Sequence, residues 1–283
     1  MKKISLLLVA LFVLLTTTAY AEENSIVNYW HKVTVLSLET EDLQPSVFKL
    51  QDPVKSLEQS LISAQRIKKQ LKNIQPPKAL KENHKLRLAG MDYLIGGLTS
   101  IKDVLANKNS MWQNTAALEK LQKAAQNLTL AQMELADFCR NNLAGQKNYT
   151  AQEELCLYWS DMTEKELSMN EDIQKFLQGS LELLKTKDAA KLNELLLSFT
   201  ALQQDIEKMS QEMKEYQPSS RVIELHNKKL VVIDLACEVM SGVNGMLKKD
   251  NLDNIFKLMN KVDDFVAAQQ EYNALFKAML NQR

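Results

Sequence analysis

Two histidines stand at matching places in the chain, and imidazole is a common ligand for metal ions and haem. His84 follows Pro76 by eight residues, and His226 follows Pro218 by the same interval. Each lies on an apolar helical stripe, so its ring points into a bundle interior, where metal sites are often built. Neither has the acidic residue three positions earlier that carboxylate metal bundles use, and no Cys-x-x-Cys-His motif is present. We therefore favour hydrogen-bonded structural imidazoles over metal ligands and expect no cofactor.

Cysteine is the next residue type with possible chemistry. Cys139 and Cys156 flank a break at Gly145–Thr150 almost symmetrically. If the flanking helices form a hairpin, the two lie at similar height and can form a disulfide, which is permitted outside the cytoplasm. Free buried thiols are the alternative. Cys237 is interpreted as a small core residue, since nothing places it beside a base.

Motifs for common catalytic chemistry are missing from the sequence. It contains no Gly-x-Ser-x-Gly, phosphate-binding loop, dinucleotide loop or zinc-protease histidine pair. We therefore expect a protein that is not an enzyme.

Charge is distributed unevenly, although the whole chain has a formal net charge of zero. Residues 54–110 hold 11 basic and 4 acidic side chains, whereas residues 151–216 hold 7 basic and 14 acidic ones. The basic patch comprises Arg66, Lys68, Lys69, Lys72, Lys78, Lys81, Lys85 and Arg87. It could face an anionic surface or an acidic envelope protein. Pairing with the acidic segment or simple solvation is the interpretation we favour, and the lack of interleaved aromatic residues argues against nucleic acid.

The elements that position these residues are predicted to be helices. Gly and Pro are few, at 7 and 5, and residues with high helix propensity are plentiful. Apolar residues step by threes and fours, as in a coiled-coil seam; the stripe from Leu192 to Tyr216 does so without a fault. Short connections make successive helices antiparallel.

An internal repeat organises the helices. Gln75 and Pro76 match Gln217 and Pro218 at an offset of 142 residues, and the two histidines match at the same offset. The pairs at 29–30 and 158–159 are both Tyr-Trp, and each opens one copy. Periodicity alone does not explain these matches. The sequence therefore predicts an all-α protein of two tandem antiparallel four-helix-bundle-like units that arose by duplication.

Glycines interrupt the third helix of each predicted unit. They are Gly90, Gly96, Gly97, Gly242 and Gly245. Each costs about 1 kcal/mol relative to Ala in a helix interior. Close helix contact or a kink is the usual reason; a cavity for an apolar ligand is the alternative.

The first 21 residues have the pattern of a signal peptide. Two lysines precede an apolar run from Ile4 to Leu15, and small residues come before a predicted cleavage between Ala21 and Glu22. Twelve helical residues reach only about 18 Å, too short to span a membrane. We expect a soluble, secreted, periplasmic or cell-envelope chain with no transmembrane segment after cleavage. Its units are predicted at 22–146 and 147–283.

A non-enzymatic function follows from these observations. We expect an exported helical-bundle protein that acts as an extracytoplasmic binding or scaffold module. A metal- or small-ligand-binding bundle and a membrane-active helical protein are the alternatives.

Overall fold

The computed structural model describes most of the chain after the predicted signal peptide. The described residues are 26–40, 53–106, 115–169, 171–173, 175, 178, 179, 182, 189–248 and 252–282. All regular structure within these ranges is helical, which confirms the predicted all-α class. The predicted cleavage site between Ala21 and Glu22 lies outside the described residues.

Long helices follow one another along the described chain. They are α1 (26–40), α2 (Pro53–Lys72), α3 (Lys81–Ala106), α4 (Thr115–Leu143), α5 (Ala151–Leu167), α6 (Ala189–Glu215), α7 (Ile223–Lys248) and α8 (Leu252–Leu280). A 3₁₀ turn at Lys78–Leu80 leads into α3, and the described residues between 171 and 182 are also helical. Pro53 opens α2, while Pro76 and Pro218 lie in the connections before α3 and α7, as a residue without a backbone N–H requires.

The turn between α4 and α5 is specified by local chemistry. Gly145 follows α4 with a φ of 87°, a conformation that side chains disfavour. Thr150 then caps α5, because its hydroxyl accepts from the Glu153 backbone N–H at 3.2 Å. The Glu153 carboxylate accepts in return from the Thr150 backbone N–H at 2.7 Å, which completes a capping box. The two helices pack against each other as the predicted hairpin.

Helices α1 and α5 are the most deeply buried parts of the fold. Trp30 is fully buried, and its ring centroid lies 6.0 Å from that of Trp159 on α5. On α5, Cys156, Tyr158 and Ser160 are all buried, although they do not share one face. A helix that is buried on several faces must be covered from several sides. The other helices supply this cover.

The apolar core is continuous across both halves of the sequence. One cluster of buried residues takes members from all eight helices. The end of α8 also reaches the two central helices, since the Leu280 carbonyl accepts from His31 at 2.9 Å and from Gln152 at 2.8 Å. The predicted boundary at residue 146 therefore does not coincide with a break in the core.

Helix α3 approaches α4 closely at two of its glycines. A Cβ at Gly97 would lie 2.6 Å from Cδ2 of Leu121, and one at Gly90 would lie 2.8 Å from Cγ of Leu128. A Cβ at Gly96, in contrast, would make an ordinary 3.5 Å contact with Cδ of Lys120. Close helix contact thus explains Gly90 and Gly97, as the sequence analysis expected, but not Gly96.

We expect Ala substitutions at the two adjacent glycines to change stability in opposite directions. Gly96→Ala should raise the free energy of unfolding by about 1 kcal/mol through helix propensity. Gly97→Ala should lower it, because forcing a methyl group against Leu121 costs about 1–3 kcal/mol and outweighs that gain. Equilibrium urea denaturation of both variants measures the difference. Equal stabilisation by the two would contradict the close approach of α3 and α4.

Candidate functional site

A cavity of about 410 Å³ lies between α1, α5 and α8. Single residues from α3, α4 and α7 complete its wall. This volume falls within the range of pockets that bind small molecules, about 300–1,000 Å³. Because α1 belongs to the first half of the chain and α5 to the second, the cavity depends on the packing of the two halves.

The wall combines apolar rings with a few polar groups. Its aromatic members are Trp159, Phe265, Tyr272 and Phe276; its aliphatic members are Leu38, Met162 and Leu167; its neutral polar members are Thr34, Ser37, Gln132, Thr163 and Gln269. Three charged side chains complete it, namely Arg87, Glu166 and Lys229. An apolar wall with a small number of polar groups is the usual composition of a ligand pocket.

Arg87 is a buried cation at one side of the cavity. Only 3% of the residue is exposed. Its Nε donates to Oδ1 of Asn83 at 3.2 Å, its Nη2 donates to the Ala131 carbonyl at 2.9 Å, and the guanidinium also donates to the Tyr29 hydroxyl. Burial lowers the pKa of Arg87, yet an arginine stays protonated in a protein. Among the described residues it forms no ion pair with a carboxylate, so its charge is solvated by neutral groups alone.

Lys229 is a second buried cation in the wall. It forms an ion pair with Glu166, and its Nζ lies 4.7 Å from the centre of the Tyr272 ring. The Glu166 side chain is 35% exposed, so the cavity approaches the surface at this edge. The charged groups of the wall are therefore two cations and one carboxylate.

Thr34 supplies an unpaired hydroxyl to the same wall. The residue is 4% exposed, and within the part of the chain that the structure describes its Oγ1 has no hydrogen-bond partner. One helical turn earlier, Nε1 of Trp30 is likewise buried without a partner among the described residues. Buried polar groups in native proteins are nearly always paired, and leaving one unpaired costs about 1–3 kcal/mol. Such a group beside a cavity suggests that a bound molecule pairs with it.

Both predicted metal candidates lie in equivalent hydrogen-bonded pairs outside the cavity wall. Nδ1 of His84 is 3.2 Å from the Tyr29 hydroxyl, and Nδ1 of His226 is 3.3 Å from the Tyr158 hydroxyl. The rings also donate to backbone carbonyls at the ends of α2 and α6, those of Leu71 and Met213. Each Nδ1 is therefore an acceptor, and each tyrosine donates to it.

Burial lowers the pKa of both imidazoles, and for His84 the nearby Arg87 guanidinium lowers it further. Both rings are neutral near pH 7. In the described parts of the chain, no three His, Cys, Asp or Glu side chains form a group that could hold a metal ion. The observed contacts give the two histidines a structural role, as connectors between three helices each.

We expect the two tyrosine–histidine bonds to contribute equally to stability. Tyr29→Phe and Tyr158→Phe should each lower the free energy of unfolding by about 1–3 kcal/mol, because each leaves a buried imidazole nitrogen unpaired. Tyr93→Phe is the control, since Tyr93 is 37% exposed and should change stability by less than about 0.5 kcal/mol. Thermal and urea denaturation measure all three. A cost at one site only would mean that the two pairs are not equivalent.

The structure brings the two predicted disulfide partners together. Cys139 on α4 and Cys156 on α5 are both fully buried, and their thiols hydrogen bond with each other. Burial, followed by the contact with Cys139, raises the pKa of the Cys156 thiol. All three cysteines are unbridged here, and Sγ of Cys237 lies 3.9 Å from the Ile206 carbonyl. A bridge remains a prediction, and it would form before burial suppresses the thiolate.

We expect the protein recovered from an oxidising compartment to contain one free thiol, that of Cys237. Alkylation in denaturant without reductant should then label one cysteine, and labelling after reduction should label three, as read by intact mass. Closure of this short loop should add about 3 kcal/mol of stability. Three labelled thiols without reductant would exclude the bridge.

The predicted basic patch is divided between the surface and the interior. Lys69, Lys72, Lys78 and Lys81 are exposed. Three other members form ion pairs: Arg66 with Glu39 at 2.9 Å, Lys85 with Glu82 at 2.7 Å, and Lys68 with Asp92. These partners lie in the first half of the chain, not in the acidic segment at 151–216. Arg87 is buried in the cavity wall and does not belong to the exposed surface.

Sequence reasoning did not find the cavity. It placed Arg87 among surface charges and did not single out Thr34, Glu166 or Lys229. One signal was available: Arg87 follows His84 by three residues, and Lys229 follows His226 by three residues, so each cation lies on the buried face of its helix.

No helix in the described residues is both long enough and apolar enough to cross a membrane. Comparisons of the chain with protein-family models, with curated proteins and with solved structures give no match. The cavity and its unpaired groups are therefore the observations from which a function is argued.

Proposed function

We propose that this protein is an exported, non-enzymatic binding protein that holds a small molecule in its central cavity. One observation carries the proposal: a cavity of ligand size whose wall contains a buried cation without a carboxylate partner among the described residues and a buried, unpaired hydroxyl. Burying such groups is unfavourable unless a partner is present for part of the protein's working cycle. Export is supported by the signal-like pattern of residues 1–21.

We further propose that the chain consists of two duplicated four-helix units that share one core. The equivalent bonds Tyr29–His84 and Tyr158–His226 support this duplication, because both members of each pair match in sequence as well as in contact. The central contact supports it too, since Trp30 and Trp159 are equivalent residues that pack against each other. Equivalent helices meeting in the centre make the cavity a feature of the assembled pair.

The cavity can be tested with a neutral apolar dye. N-phenyl-1-naphthylamine should bind at one molecule per chain, with an increase in its fluorescence as it leaves water. Gln132→Trp should weaken this binding at least about tenfold, because a bulky ring at the wall removes volume from the pocket.

Gln270→Trp is the matched control. Gln270 is the repeat partner of Gln132, it is exposed, and it does not line the cavity. Its substitution should leave dye affinity within about twofold. Equal effects of the two substitutions, or no saturable binding at all, would contradict the proposed function.

A further inference from the structure

The two buried cations of the cavity wall have different electrostatic surroundings. In the repeat, Arg87 matches Lys229 at an offset of 142 residues, and Ser37 matches Glu166 at an offset of 129. Lys229 forms an ion pair with Glu166. The first half has Ser37 at the matching place, and its hydroxyl donates to the Val33 carbonyl at 2.9 Å. The carboxylate that neutralises one cation therefore has no counterpart for the other.

A guanidinium carries five N–H donors. The bonds of Arg87 to Asn83, Ala131 and Tyr29 use three of them. Within the described chain, the remaining donors have no carboxylate to bind, while Oγ1 of Thr34 in the same wall is unpaired. A planar fork of donors beside a hydroxyl suits a carboxylate or phosphate oxygen pair.

We propose that the cavity binds a small organic anion, with its acidic group held by Arg87 and Thr34 and its planar apolar body against Trp159, Phe265 and Phe276. This assignment rests on the proposed function and names its ligand class. A single negative charge would neutralise the excess positive charge of the wall, which holds Arg87, Lys229 and Glu166. The aromatic side chains provide faces on which a ring system can stack.

The test compares two ligands of nearly the same shape, 2-naphthoate and 2-naphthamide, by titration calorimetry near neutral pH. The carboxylate should bind about tenfold tighter or more than the neutral amide, since hydrogen bonds to charged groups contribute about 1.5–3 kcal/mol. Inorganic phosphate, which has no apolar body, should bind much more weakly than 2-naphthoate.

Arg87→Met should abolish the preference for the carboxylate, with a loss of about tenfold or more for 2-naphthoate and less than about threefold for 2-naphthamide. Arg140→Met is the control, because Arg140 is a partly buried arginine that pairs with Glu164 at 2.7 Å and does not line the cavity. It should leave both affinities within about twofold. Circular dichroism confirms that each variant is folded.

Thr34→Val provides a second variant that keeps the cation and nearly the same volume. It should weaken 2-naphthoate by about three- to tenfold and leave 2-naphthamide almost unchanged. If Arg87→Met does not fold, Thr34→Val and the ratio of the two ligands on the natural protein decide the matter.

Three results would overturn the inference. They are equal affinity for the two naphthalene ligands, an equal loss of both in a folded Arg87→Met variant, and phosphate binding as tight as that of 2-naphthoate. If the neutral dye still binds in those cases, the proposed function survives and only the ligand class is wrong. If neither the dye nor either naphthalene ligand binds, the proposed function fails as well.

Discussion

The packing of α1 against α5 is the constraint on which the rest of the structure depends. Trp30 and Trp159 meet there, and the helices that carry them are buried on more than one face. Apolar surface on several faces of a helix is stabilised only when several neighbours cover it. The remaining helices therefore surround this pair, and the core that results includes residues from both halves of the chain. The cavity is a consequence of the same arrangement, because it lies between α1, α5 and α8.

Polar groups inside this core are placed so that most of them are satisfied. In each half a tyrosine, a histidine and a backbone carbonyl form a buried chain that connects three helices. In the first half Arg87 extends the chain, because it donates to Tyr29. Two imidazoles that could have been reactive are thereby neutral and engaged in bonds that hold the helices together. The residues with the most obvious chemical potential in the sequence are structural for this reason.

The cavity differs from the rest of the interior because its polar groups are incompletely paired. Arg87 is surrounded by neutral acceptors, and Thr34 has no partner in the described chain, whereas Lys229 is neutralised by Glu166. This asymmetry lies between positions that the repeat makes equivalent. If the two halves arose from one ancestor, the first half acquired or retained an uncompensated charge where the second did not. We attribute that charge to ligand binding, since it destabilises the unliganded fold and has no other visible partner among the described residues.

The sequence by itself determined the helices and the local pairings. Helical periodicity, the prolines before α3 and α7 and the glycine before α5 are local signals, so the all-α class and these connections could be predicted. The proximity of Cys139 to Cys156 followed from a hairpin between adjacent helices, and the interior placement of His84 and His226 followed from their stripes. Only the tertiary structure decided that Trp30 packs on Trp159, that the core is shared and that Arg87 is buried in a cavity wall. Those outcomes depend on contacts between residues more than 100 positions apart, or on which helix covers which. Period and composition do not encode these, because an apolar face is satisfied by any neighbour of suitable shape.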